Sequence, residues 1–322
     1  MPRKPASHTP AVEYGAMRRF LIDTDTASDD AVALVMALRE PTVSVDAITV
    51  VAGNVPLDQA VQNALYTVEL CNSDVPVHGG RSAPLMRELQ TAQSVHGDDG
   101  MGDIGLSLAG RNAASDRAVD VIIDTVMGSP GEVALVTLGP LSNIAVALLR
   151  QPKLASSVAH CFVMGGSGVG PGNVTPLAEF NFWCDPEAAR VVLRSGMPLT
   201  HIGWDISVAS ATFDAEDAAA LRACGPLGEF SVDIQAVLDI YAKETSGIAG
   251  FDLPDPIAMA VAIDPSIATA KRQHVEVRIG DGSDRGEDII DWNVTAGREP
   301  NVEVVTHVPR EAFVGMIHRL LS

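Results

Sequence analysis

The sequence predicts an α/β fold, an open and mainly parallel sheet with helices on both faces. Three observations carry this. Near-continuous apolar runs of strand length recur along the chain, as parallel strands covered on both faces require. Segments with apolar residues at helical spacing alternate with them. And 47% of the 322 residues are hydrophobic, enough for a large core.

The elements follow in order. Residues 18–23 (RRFLID) end a short apolar run, and the acidic segment TDTASDD comes next. AVALVMALRE then places Ala31, Leu34, Val35 and Leu38 at helical spacing, with Ser28 or Asp29 expected as the N-cap. Residues 45–51 (VDAITVV) are a β-branched run of strand length, followed by the helical LDQAVQNALYTVELC. The alternation repeats in VALVTL and LSNIAVALL, VAHCFVM and DPEAARVVLRSG, PLTHIG and DAEDAAALRAC. One helix is expected over 227–244, followed by the 256–263 segment. VEVRI, IIDWNV and VEVVTHV read as strands, and a helix closes the chain. Residues 1–17 lack an apolar signal-peptide region and read as a disordered leader, leaving 18–322 as a single domain.

Charge and cysteine content narrow the function. Lys and Arg total 22 against 41 Asp and Glu, a net charge of −19, which disfavours nucleic acid and anionic membrane as partners. No apolar stretch is long enough to argue for a membrane span. Cys71, Cys161, Cys184 and Cys224 form no C-x-x-C pair, as expected of reduced, mostly buried thiols in a cytoplasmic protein. The glycines of VMGGSGVGPGN fit neither a dinucleotide nor a Walker loop.

Ligands of open α/β sheets sit beyond the carboxyl ends of the strands. There Asp23, Asp25, Asp29 and Asp30 put four carboxylates in eight residues, with no Lys or Arg among them. Each pair ~4 Å apart repels by ~1 kcal/mol in water and several times more near a protein surface. Helix capping accounts for one or two of the four, but Asp23 and Asp25 precede the helix. A hard cation bound through oxygen offsets the rest, calcium rather than magnesium where sugar hydroxyls share the site. The loop lacks EF-hand spacing. Asp23-Thr24-Asp25-Thr26 also resembles the opening of the magnesium-dependent haloacid-dehalogenase phosphatases, whose first Asp attacks phosphate. Ala27 stands where that family has Thr or Val.

DTDTASDDAVAL resembles the D-x-D-P-G-x-D-D-A signature of the inosine–uridine-type nucleoside hydrolases. Further segments agree in order: VVAGN (50–54), HGDDGMGD (96–103), LGPLSNIA (138–145), VMGG (163–166), GNVTPLAEFN (172–181), DPEAA (185–189) and DPIAMA (255–260). The resemblance implies a Rossmann-like fold, hydrolysis of ribonucleosides to base and ribose, and a homodimer or homotetramer. It implies one Ca2+ held by Asp25, Asp30, Asp255 and the carbonyl of Leu138, a position where the family usually has Thr. Asp29, Asn54, Asn173, Glu179 and Asn181 would grip the ribose hydroxyls, and Met164 would pack near the sugar.

Each of these residues also has a plain structural reading. Asn54 and Asn173 suit turns. Glu179 and Asn181 flank Phe180 as an edge strand would. Asp255 before Pro256 suits a helix cap, and Met164 suits a core.

Breaking a ribosyl–base bond passes through an oxocarbenium-like sugar. Asp25 is the candidate base that activates water, and the surrounding carboxylates favour the developing positive charge. The family's His before the late acidic ligand, or Trp in purine-preferring members, is here Pro254. His96 is therefore the candidate leaving-group acid, with Tyr241 behind it, and the base preference stays open. A calcium-dependent nucleoside- or sugar-binding protein without turnover is the alternative, against which the retained Asp25 argues.

Overall fold

A computed structural model of the chain describes residues 17–246, 250–293 and 297–322. The expected leader lies outside these except for Met17, which is exposed. Among the described residues the twelve strands are β1 (Arg18–Thr24), β2 (Val43–Val50), β3 (Val77–Gly79), β4 (Val133–Thr137), β5 (His160–Met164), β6 (Leu199–Ile202), β7 (Thr212–Phe213), β8 (Phe251–Asp252), β9 (Thr269–Gln273), β10 (Val275–Val277), β11 (Asp288–Ile290) and β12 (Val302–His307). Eight of them form one sheet in the order β3-β2-β1-β4-β5-β6-β12-β9, and β9 alone pairs antiparallel. The mainly parallel α/β sheet is as the sequence predicts.

The central strands are covered on both faces, and the side-chain alternation shows how. Phe20 and Ile22 of β1 enter one core with the helices Ser28–Arg39, Leu57–Leu70, Pro254–Ile263 and Arg310–Leu321. Leu21, between them, enters a second core with Ala118–Gly128, Ser142–Arg150 and Pro186–Leu193. Residues of both parities are therefore apolar, which produces the continuous runs.

The helices Ser28–Arg39 and Pro254–Ile263 are nearly all buried and pack against each other. Their small and apolar residues run all round the axis, as burial on every side demands. Both begin at the same edge of the sheet, so two positively polarised N-termini converge there.

Three expectations need correction. The first helix is capped by Ala27, not by Ser28 or Asp29, and Asp30 accepts the Ala27 N–H at 2.9 Å. Residues 227–244 are two helices, Pro226–Asp233 and Ala236–Ser246. Buried Phe230, Val232 and Ile234 carry the apolar pattern up to the break, which hides it in the sequence. Glu179 and Asn181 lie on no strand. Glu179 caps the helix Phe180–Cys184. The IIDWNV strand is the short β11, and Val294 lies outside the described residues.

Candidate active site

β1 lies between β2 and β4, where the strand order reverses direction. A crevice opens beyond the carboxyl ends at such a point. The acidic segment leaves β1 there, Asn54 follows β2, Leu138 follows β4, and Met164 ends β5. Asp255 arrives in the first turn of the helix Pro254–Ile263.

These elements enclose a cleft of about 290 Å³. Asp29, Asn54, His96, Leu138, Met164, Asn173, Glu179, Asn181 and Asp255, nine of the residues singled out in the sequence, line it. Asp25 and Asp30 lie beneath, fully buried. Pro254 and Tyr241 also face the cleft.

The carboxylate oxygens of Asp29, Asp30 and Asp255 come within 4.8 Å of one another. Asp25 lies outside this trio but close enough to be repelled by the carboxyls of Asp30 and Asp29. Asp30 Oδ1 accepts the Thr24 hydroxyl at 2.5 Å, and the Asn54 amide reaches its Oδ2 at 3.3 Å. Asp25 Oδ2 accepts the Asn54 N–H at 2.6 Å. Asp25 Oδ1 and Asp29 Oδ1 are buried without a hydrogen-bond partner.

Burial pushes all four carboxyls above the usual carboxylate range, Asp29 to about 8. Repulsion from neighbouring carboxyls adds to the push on Asp25, Asp29 and Asp255. Buried carboxylates this close stay ionised only with a counter-charge. Convergent oxygens with orphaned lone pairs suit a hard metal cation, and the cluster can hold one.

Asp23, first of the four acids, does not join the cluster. Its Oδ1 accepts Thr49 Oγ1 at 2.5 Å and Asn143 Nδ2 at 2.9 Å. Fully buried, with its carboxyl raised to about 7 by that burial, it is not placed to attack a phosphate as a phosphatase nucleophile must.

The remaining polar groups are fixed from the backbone. Glu179 accepts the N–H groups of Asn181 at 2.7 Å, Phe182 at 3.2 Å and Gly166 at 2.7 Å, and burial raises its carboxyl to about 7. Asn181 Nδ2 donates to the carbonyl of Leu138 at 2.7 Å, which leaves that oxygen a second lone pair. Asn173 Oδ1 accepts the Phe180 N–H at 2.9 Å. His96 Nδ1 lies 2.9 Å from Ser28 Oγ and 3.8 Å from Asp29 Oδ1. Burial depresses the imidazole to about 4, so it is neutral at neutral pH.

The cleft is also lined by apolar and aromatic side chains, Val95, Phe180, Trp204, Leu238 and Tyr241. Polar groups that can bind hydroxyls and aromatic groups that can cover a flat ring thus share one cleft. The sequence reading missed Thr24, Ser28, Phe180 and Trp204. For Trp204 the available signal was its position just after a predicted strand.

The family model for inosine-uridine preferring nucleoside hydrolases matches residues 20–315. The chain belongs to that family. Pyrimidine-specific ribonucleoside hydrolase RihB of Escherichia coli is 37% identical over 300 residues, 93% of this chain and 96% of its own. A plant nucleoside hydrolase superposes with a TM-score of 0.88 at 32% identity, covering 95% of this chain and 99% of that one. A purine-preferring ribonucleoside hydrolase from Gardnerella vaginalis does so at 0.86 and 30%, covering 94% and 99%. The protein is thus a nucleoside hydrolase, which splits ribonucleosides into base and ribose. Among the described residues no helix is long and apolar enough to cross a membrane.

Proposed function

We propose that this nucleoside hydrolase is calcium-dependent, with Asp25 as general base and His96 as the group that assists the leaving base. The carrying observation is the convergence of Asp29, Asp30 and Asp255 at a cleft lined by both polar and aromatic side chains. Asp25, Asp30, Asp255 and the carbonyl of Leu138 would hold the ion, and Asp29 is near enough to share it. When bound, calcium supplies the missing counter-charge and orients a water molecule with the ribose hydroxyls.

The protein's own groups then divide the work. Asn54 N–H holds Asp25 by Oδ2, which leaves Oδ1 to take a proton from the attacking water. The water oxygen bonds to the anomeric carbon, and the carbon–nitrogen bond breaks with its electron pair going to the base. Asp29, Asn54, Asn173, Glu179 and Asn181 bind ribose hydroxyls, and Met164 packs below the sugar. The buried acids favour the positive charge that develops on the ring.

Pro254 lines the cleft but has no proton to give. His96 is neutral, so it helps as a hydrogen-bond donor to the departing base. The tautomer this needs carries hydrogen on Nε2, with Ser28 Oγ donating to Nδ1.

The free thiols of Cys71, Cys161, Cys184 and Cys224 support a reducing, cytoplasmic location, and a homodimer or homotetramer is the expected assembly. Calorimetric titration of the metal-stripped protein with calcium tests the site. One ion should bind per chain, and Asp30→Ala should lose that binding.

A further inference from the structure

The glycine-rich loop after β5 is shared between two buried carboxylates. The Gly166 N–H donates to Glu179 Oε2 at 2.7 Å. The next two amides, of Ser167 and Gly168, donate to Oδ1 and Oδ2 of Asp288 at 2.8 and 3.0 Å. Ser167 Oγ adds a third bond to Asp288 at 2.7 Å. Asp288 is itself buried and comes from the start of β11, far along the chain.

Neighbouring groups pack beside this acid and fix the loop and helix around it. His201 Nε2 lies 3.7 Å from Asp288 Oδ2, with both side chains wholly buried and neither ring nitrogen hydrogen-bonded. Asp205 Oδ2 accepts the next amide, of Val169, at 3.1 Å. The segment leading into β11 also braces the short helix that Glu179 caps. Arg285 stacks 4.0 Å over Trp183 and donates to its carbonyl at 2.8 Å.

We propose that Asp288 is a positioning residue for nucleoside hydrolysis, holding the Ser167 and Gly168 amides so that Gly166 N–H orients Glu179 toward the ribose. Charge-assisted bonds to two successive amides fix the backbone between them, and that sets the direction of the preceding N–H. Gly166 provides the shorter of the two bonds to Glu179 Oε2. In Asp288→Asn one of the two accepting oxygens becomes an NH2 group that cannot accept, so the loop loses part of its anchor and the Gly166 N–H its fixed direction toward Glu179. After burial, the charge of Asp288 also contributes to raising the Glu179 carboxyl.

The proposal rests on the reading of Glu179 as a ribose contact, and a double-mutant cycle separates the two. Initial rates with inosine and uridine are measured for the wild type, Glu179→Gln, Asp288→Asn and the double variant, each checked by circular dichroism. Asp288→Asn should lower kcat/KM about 10-fold in the wild-type background and less than about 2-fold in the Glu179→Gln background, because the second loss works through the first. Calcium binding by Asp288→Asn, titrated with the metal alone, should be unchanged. An equal loss in both backgrounds, or no loss in either, overturns the positioning role while leaving Glu179 as a sugar contact. A Glu179→Gln enzyme with wild-type kcat/KM overturns the ribose reading itself. Should Asp288→Asn fail to fold, Ser167→Ala removes the 2.7 Å hydroxyl bond to Asp288, together with a longer 3.4 Å contact to the Leu177 carbonyl, and should show the same pattern at about 2- to 3-fold.

Discussion

Gly139 makes room for Asp25: a Cβ at position 139 would stand 2.6 Å from Oδ1 of the Asp25 carboxylate. Gly53, from the other side, leaves a similar gap against Oδ2. The glycines of VVAGN and LGPL are thus the walls of the slot that holds the proposed base. Gly139→Ala should cut kcat/KM by at least about 100-fold, as losing one precisely aimed group does, and should lower the melting temperature as well, because the same Cβ would stand 2.9 Å from the Asp25 backbone nitrogen. Gly315→Ala, whose added Cβ meets nothing within 4 Å, is the control and should keep full activity. Steady-state kinetics of the two variants check this.

The proposed ribose contacts predict strong sugar discrimination. Each well-placed buried hydrogen bond to a charged group is worth roughly 1.5–3 kcal/mol. Uridine and inosine should therefore outpace their 2′-deoxy counterparts by about 10- to 150-fold in kcat/KM. Equal rates would remove Asp29 and the metal from the 2′-hydroxyl.

Leaving-group chemistry separates His96 from the rest. A riboside with an activated leaving group, such as p-nitrophenyl riboside, needs no help to depart. His96→Ala should slow inosine by about 10²- to 10⁴-fold and the activated riboside little. Equal slowing of both would make His96 a binding or structural residue.

Acid should weaken the fold partly through His160, far from the cleft. Burial, with a contribution from Arg18, depresses its imidazole to about 4, and Nε2 sits 2.8 Å from Thr200 Oγ1. An unfolded His titrates near ~6.5, so between those values the unfolded chain binds the proton more tightly. Its contribution is therefore complete above pH ~6.5 and lost as pH falls toward 4. Raised carboxyls such as Asp23 act with the opposite sign, because they keep protons that the unfolded chain releases. His160→Phe isolates the His term. Its unfolding free energy, measured by denaturant titration, should fall less than that of the wild type between pH 7 and 4.5, a difference of order 1–3 kcal/mol. Parallel pH profiles would contradict this.

Much of this architecture was readable because it is buried. β1, β4 and β5 are covered on both faces and appear as unbroken apolar runs. β9 (TAKRQ) is a mostly exposed, charged edge, and nothing in its pattern marks a strand. The acidic cluster was visible as a local excess of charge. Its division was not, because Thr49 and Asn143, which draw Asp23 away, come from other strands and helices. Its local sequence lets Asp255 pass for a helix cap; only the family resemblance marked it as a ligand, and the packing of two buried helices brings it to Asp29 and Asp30. The aromatic lining is assembled from separate elements, so no local motif announces it.

The most direct test of the account is ribose release from inosine and uridine by the wild type and Asp25→Asn, each with added calcium and with a chelator. The account predicts ribose from the calcium-loaded wild type alone, and restoration when calcium is added back after chelation. Ribose release that persists in the chelator, or in Asp25→Asn, would contradict it.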